Sequence, residues 1–211
     1  ENKKIEALSK EEENKLINIL NNEEQNHKYR DIILLQLYTG MRIGEVLALS
    51  TDCIDLQNNS LTVHRTLTQD ENYKVKMGEH TKTYKKRTGI DNGKRTFPMN
   101  NNTRNIILKI LKNKTVNING LLFWNNKKNT YITPAKVNSY LHRINKKYNI
   151  CSASLHSHRL RHTFITRCVE NGLFPKVIQN LVGHVEGSTI TNNVYTSISY
   201  DFMQEELKKL N

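Results

Sequence analysis

The sequence predicts an α+β fold, mainly helical, with a small antiparallel β-sheet at one edge. Three observations predict it. Apolar residues recur at helical spacing before residue 50 and again after residue 100. Between Cys53 and Met99 the period shortens to two, and turn dipeptides such as Asn58-Asn59 and Asn92-Gly93 separate the alternating runs. A chain of 211 residues can bury one substantial core, with an appendage at most. Residues 9–199 are expected to form that core, with 1–8 as a linker end and 200–211 as a tail helix.

Taken in order, Ser9 and Glu12 make a capping box, and Leu16, Ile17, Ile19 and Leu20 form the apolar side of the first helix until Asn21-Asn22 ends it. A second helix is expected from near Asn26. Ile32, Ile33, Leu34, Leu35 and Leu37 make it apolar nearly all round, as in a core helix, and Gly40 is its left-handed cap. A short helix over Ile43–Leu49 then puts Arg42 at a tight helix-to-helix turn. Strands are expected near 53–56, 60–68, 73–83 and 93–98, joined into one sheet with a long basic hairpin and ended by Pro98. Asn102 or Thr103 opens a helix closing near Lys112, and Leu121-Leu122-Phe123-Trp124 is a short apolar anchor. Thr133-Pro134 supplies the cap and first-turn proline of a helix that buries Val137, Tyr140, Leu141 and Ile144. A helix around His158 is expected to bury Leu160, Phe164, Ile165 and Val169. Helices over 174–182 and around 189–195 follow, and the tail helix Tyr200–Leu210 shows Phe202, Met203, Leu207 and Leu210 on one apolar face.

Thirty-two Lys and Arg against 20 Asp and Glu leave a formal charge of +12. Such an excess is the electrostatic footprint of a nucleic-acid partner. An anionic membrane is the competing reading, but no long apolar run and no block of basic residues beside an amphipathic helix supports it. Cys53, Cys151 and Cys168 are odd in number and scattered, without zinc-ligand spacing, so free thiols in a reducing cytoplasm are expected. No signal peptide is visible. The chain starts at Glu1 with no initiator Met, as expected of a fragment trimmed at its N-terminus.

Groups able to hold or protonate a phosphate crowd into His156-Ser157-His158-Arg159-Leu160-Arg161-His162 and Leu181-Val182-Gly183-His184, with Tyr195 eleven residues after His184. On a helix, His158 and Arg161 share a face. Far upstream lie Arg42, in Thr39-Gly40-Met41-Arg42-Ile43-Gly44-Glu45, and Lys82, in Thr81-Lys82-Thr83. In this order the motifs resemble the tyrosine recombinases, the phage-integrase family, over nearly the whole chain from about Ser9. The mix looks most like the integrases of conjugative transposons and phages of low-GC Gram-positive bacteria.

The resemblance implies a site-specific DNA recombinase catalytic domain that cuts and rejoins strands through a 3′-phosphotyrosine intermediate. It implies double-stranded DNA as partner, a tetramer on paired sites, and a bacterial cytoplasm, at the nucleoid when bound. The apolar face of the tail helix reads equally as docking on a neighbouring copy, which would build that tetramer, or on the chain's own core. With no carboxylate cluster for magnesium in the sequence, no cofactor or metal is expected. Arg42, Lys82, His158, Arg161, His184 and Tyr195 carry over as the catalytic set. Their chemistry fits: two planar guanidiniums grip non-bridging oxygens, the histidines donate further bonds, Tyr195 attacks, and Lys82 protonates the departing 5′-oxygen. Lys82 stands 13 residues before Arg95, farther than usual from the Arg95-Thr96-Phe97-Pro98 run, so Lys86 and Lys94 are rivals. Lys85, Lys86, Arg87, Lys94 and Arg95 are expected to contact DNA. Glu45 reads equally as a helix N-terminal charge or as a group orienting the site from behind. Two other functions compete: a type IB topoisomerase, and a DNA-binding module without catalysis.

Overall fold

Ser9 opens α1 (Lys10–Asn21) by accepting the Glu12 N–H at 3.1 Å while the Glu12 carboxylate accepts the Ser9 N–H at 2.9 Å, the reciprocal cap read from sequence. The computed structural model describes residues 6–22, 27–69, 74–78, 81, 84–85, 90–91, 94–113, 120–183 and 199–210. α2 (Arg30–Thr39) begins after a turn at Lys28-Tyr29, later than the expected start near Asn26. Ile32 to Leu35 and Leu37 are all buried, and α2 packs between α6 (Ser157–Glu170) and α4 (Asn101–Lys112), so it is the central post of the core. α3 is the single turn and a half Ile43–Leu47.

The β region differs from expectation. β1 (Ile54–Asp55), β2 (Ser60–Val63) and β7 (Arg95–Pro98) form one antiparallel sheet in the order β1-β2-β7, with Leu61 opposite Phe97 and Val63 opposite Arg95. β3 (Thr66–Gln69) pairs with β4 (Val75–Gly78) and β5 (Tyr84–Lys85) with β6 (Ile90–Asp91), each as a separate ladder. The expected strand 60–68 thus breaks at His64-Arg65. There Arg65 Nη2 donates to Ser50 Oγ and Asp52 Oδ2, both at 2.8 Å, and ties the chain to the 3-10 turn Thr51–Cys53.

α4 is capped by Asn100, whose side chain accepts the Thr103 N–H at 2.8 Å, so the helix opens ahead of the expected Asn102 or Thr103. Leu121, Leu122 and Phe123 are buried before the short hairpin β8 (Trp124–Asn125) and β9 (Thr130–Tyr131). α5 (Pro134–Tyr148) carries the expected Thr133 cap and buries Val137, Tyr140, Leu141 and Ile144. On α6 the buried stripe is Leu160, Phe164 and Cys168, four apart each time. Val169 lies off that stripe and is 60% exposed, against expectation. α7 is Pro175–Val182, and the helix expected around 189–195 lies outside the described residues.

The tail forms α8 (Tyr200–Leu207) and a 3-10 turn, Lys208–Leu210. Met203 and Leu207 are buried against this chain's own fold, where α8 packs on β7. The Glu206 carboxylate accepts the Phe174 N–H at 2.6 Å, and the Tyr200 hydroxyl donates to the Asn58 carbonyl at 2.8 Å. Phe202 faces outward beside Phe174, ring centroids 6.0 Å apart. No helix among the described residues is long and apolar enough to cross a membrane.

Candidate active site

Three arginines from distant parts of the chain meet around one carboxylate. Arg42 is the N-cap of α3, and Glu45 is that helix's third residue, so the Arg42 N–H points at Glu45 Oε2, 2.9 Å away. The same geometry brings Arg42 Nη1 to Glu45 Oε1 at 3.0 Å and leaves Nη2 to donate to the Gly183 carbonyl at 3.2 Å. Arg95, at the start of β7, donates from Nη2 to Glu45 Oε2 at 2.8 Å, from Nη1 to Oε1 at 3.3 Å, and from Nε to the Leu181 carbonyl at 2.8 Å. The Glu45 side chain is wholly buried. Burial pushes its carboxyl up, but the Arg95 charge and hydrogen bond, then Arg42, outweigh this and hold it below the usual carboxylate range.

Arg161 stands in the second turn of α6 and donates from Nη1 to the Gly40 carbonyl at 2.7 Å. Its Nη2 is buried with no hydrogen-bond partner among the described residues. Burial, then the neighbouring charge of Arg42 and, more weakly, that of Arg95, pull its pKa down to about 9, with Glu45 opposing. It is still a cation at neutral pH, in a place short of anions. A buried donor of this kind is what a phosphate oxygen would satisfy.

Two glycines bring the carbonyls within reach. Gly40 ends α2 at φ +63°, and a Cβ there would lie 2.3 Å from Phe164 Cδ1, so α2 and α6 close together only because none is present. Gly183 caps α7 at φ +66°, and its missing Cβ leaves room for the Arg95 guanidinium, whose Nη1 would otherwise be 2.8 Å away.

Of the expected catalytic residues, Arg42 and Arg161 share this cluster, each within the other's field. His158 is exposed in the first turn of α6, three residues before Arg161, its ring 6.5 Å from that of His156. Lys82, His184 and Tyr195 lie outside the described residues, as do Lys86 and Arg87. Lys85 occupies β5 opposite Ile90, and Lys94 is exposed just before β7. Arg95, expected on the DNA-contacting surface, instead turns inward with its side chain 7% exposed, because Glu45 and the Leu181 carbonyl take its donors. The signal was available: in a strand Arg95 and Phe97 point the same way, and Phe97 is a core residue. Glu45 lies in the first turn of α3, where a helix N-terminal charge is one of its two readings, and it is also buried beneath the Arg42 and Arg95 guanidiniums, as the orienting reading needs. A cleft of about 640 Å³ lined by residues such as His27, Arg30, Lys109 and Trp124 shares no lining residue with this cluster.

The phage integrase family pattern matches residues 6–201. The chain is 29% identical to the transposase from transposon Tn916 of Enterococcus faecalis, over 97% of this chain and 51% of that protein. It is 30% identical to the integrase of Staphylococcus phage L54a, over 99% of this chain and 63% of that protein. The fold superposes on the Tn1549 transposon integrase in complex with transposon right end DNA with a TM-score of 0.75 at 25% identity, covering 100% of this chain and 67% of the other. The chain therefore spans about half the length of the Tn916 transposase, 51%.

Proposed function

Since this chain belongs to the phage integrase family, we propose that it is the catalytic domain of a site-specific DNA recombinase, cleaving and rejoining strands through a 3′-phosphotyrosine intermediate. The observation that carries the reading is the pairing of Arg42 with a buried Arg161 Nη2, unpartnered among the described residues, around the Gly40 and Gly183 carbonyls. Two fixed guanidiniums suit the two non-bridging oxygens of a scissile phosphate and stay charged as the phosphorane forms. Tyr195 is the nucleophile in this reading. His158 assists its deprotonation, His184 donates to the phosphorane, and Lys82 protonates the leaving 5′-oxygen. Energy held in the phosphotyrosine bond drives rejoining without ATP. The partner is double-stranded DNA, met by Lys85, Lys86, Arg87 and Lys94, in the cytoplasm of a bacterium. Copies assemble as a tetramer on paired sites, the outward Phe202–Phe174 pair of the tail region being the contact offered to a neighbour.

A nicked suicide substrate tests the reaction. The parent should give a covalent protein–DNA band, and Tyr195→Phe should bind the same DNA and give none. A parent that binds DNA without forming the band is a binding module. Supercoil relaxation by the monomer points to a topoisomerase, and a band that survives in Tyr195→Phe moves the nucleophile, with Tyr200 the next suspect.

A further inference from the structure

Arg95 has no part in the chemistry set out above, yet it is among the least exposed cations of the cluster and bridges three elements. Glu45 on α3 accepts two of its bonds, at 2.8 and 3.3 Å, and the Leu181 carbonyl on α7 accepts a third at 2.8 Å, while Arg95 itself belongs to β7. Glu45 thus divides its four accepted bonds evenly, two from Arg42 and two from Arg95. If Arg95 were absent, both oxygens would be left to Arg42, whose fork would turn toward Glu45 and away from a bound phosphate. The geometry on α7 has a similar logic. Its last-turn carbonyls are the negative end of the helix and face a place suited to an anion. Arg95 takes the Leu181 carbonyl and Arg42 takes that of Gly183, which screens both. The Arg95 guanidinium also fills the space where a Gly183 Cβ would be, at 2.8 Å from Nη1.

We infer that Arg95 is a positioning residue and not a phosphate ligand. It sets the fork of Arg42 through Glu45, and it sets where the chain leaves α7 through Leu181 and Gly183, one residue before His184. The inference rests on the recombinase reading. Lysine cannot take the place, because one ammonium on a flexible stem does not present Glu45 with a two-point fork and Leu181 with a third donor at once.

The test compares the parent with Arg95→Lys in the full chain. Single-turnover cleavage at saturating DNA should fall about 10- to 100-fold, on the scale of a misplaced reacting group. The Kd for uncleaved DNA should stay within about twofold, and in Arg95→Gln, which removes the charge that lysine would keep, the slope of log Kd against log salt should match the parent's, since each lost phosphate contact would lower it by about 0.9. A reduced slope makes Arg95 a DNA ligand and overturns the inference, as does unchanged cleavage. Glu45→Gln and the double variant give a second check. Both act on Arg42 through one linkage, so the double variant should cleave little more slowly than the worse single one, and losses that multiply overturn the linkage. A third check needs no variant to fold. In guanidinium NMR of the parent, the Arg95 signal should stay put on DNA titration while that of Arg42 moves, and an Arg95 signal that moves with Arg42 overturns the inference. A parent that binds DNA but forms no adduct ends the recombinase reading, and the NMR and salt-slope readouts still decide the role of Arg95.

Discussion

Replacing Glu45 by glutamine keeps the shape of the side chain and removes its charge, so it isolates what the carboxylate does. Glu45 takes four hydrogen bonds, two each from Arg42 and Arg95, with its side chain fully out of water. A glutamine oxygen accepts two of these; its NH2 group then faces donors, and the Arg42 and Arg95 guanidiniums are left without their shared anion. Removing one partner of a buried ion pair costs about 3–5 kcal/mol. Because half the acceptors remain, the low end, about 3 kcal/mol, is expected for Glu45→Gln. In a domain of this size that corresponds to a fall in Tm of about 6–12 °C. Urea unfolding at pH 7 measures it. The pH dependence has a definite sign: the folded-state carboxyl is depressed, so its contribution is present above the unfolded value near 4.3 and is lost as pH falls through the folded pKa. The gap between parent and variant should therefore close in acid. Saturating DNA should also narrow it, since duplex phosphates supply an anion. A loss below about 1 kcal/mol at pH 7 would mean that Arg42 and Arg95 do not depend on Glu45 for their stability, and it would refute this account of the buried carboxylate.

Three other outcomes are expected. Gly40→Ala places a Cβ 2.3 Å from Phe164 Cδ1 at φ +63°, so backbone strain of about 1 kcal/mol and overpacking of about 1–3 kcal/mol should lower the urea midpoint; an unchanged midpoint would mean that α2 and α6 have slack there. Glu206→Gln should speed hydrogen exchange at the Phe174 amide. Burial pushes the Glu206 carboxyl up, but Lys209 and the Phe174 N–H hold it below its usual range, so in the parent the same protection should fade as pH drops through that depressed value; equal exchange in both proteins would mean that the Glu206 carboxylate does not protect the Phe174 amide. Lys82→Ala should slow cleavage of an ordinary phosphodiester at nearly unchanged affinity and regain its rate on a substrate with a 5′-bridging sulfur; rescue of Lys86→Ala or Lys94→Ala instead would reassign the acid.

Local signals survived into the structure where a few adjacent residues settle the matter. Ser9 with Glu12, Gly40, and Thr133 with Pro134 each satisfy backbone groups within four residues of themselves, so their roles could be read without knowing the fold. Arg42 and Arg161 stand out in the sequence for another reason: each motif alone is weak, and only their order along the chain singles them out, while the structure brings the two side chains into one cluster. The misreadings arose where the deciding partner is remote. The strand expected over 60–68 stops because Arg65 finds Asp52 and Ser50. Val169 was assigned to the buried stripe by hydrophobicity, although the angular position five residues after Phe164 puts it outside. Arg95 reads as a surface cation because basic residues precede it, whereas its direction is set by the pleat it shares with Phe97 and its partners lie 50 and 86 residues away.

Arg161 has a consequence for how such a domain can be improved. A guanidinium buried with one nitrogen unanswered is a standing debt in the free protein, and an apolar side chain of similar volume would remove it. Exchanging buried ionic groups for well-packed apolar ones is often neutral or gains about 1–4 kcal/mol. A search for heat-resistant variants that ignores activity should therefore favour loss of Arg161, and thermostability alone would be a misleading guide to function. On the recombinase reading, selection in the presence of DNA should remove the conflict, because a phosphate held by Arg161 would stabilise only the forms that retain the cation.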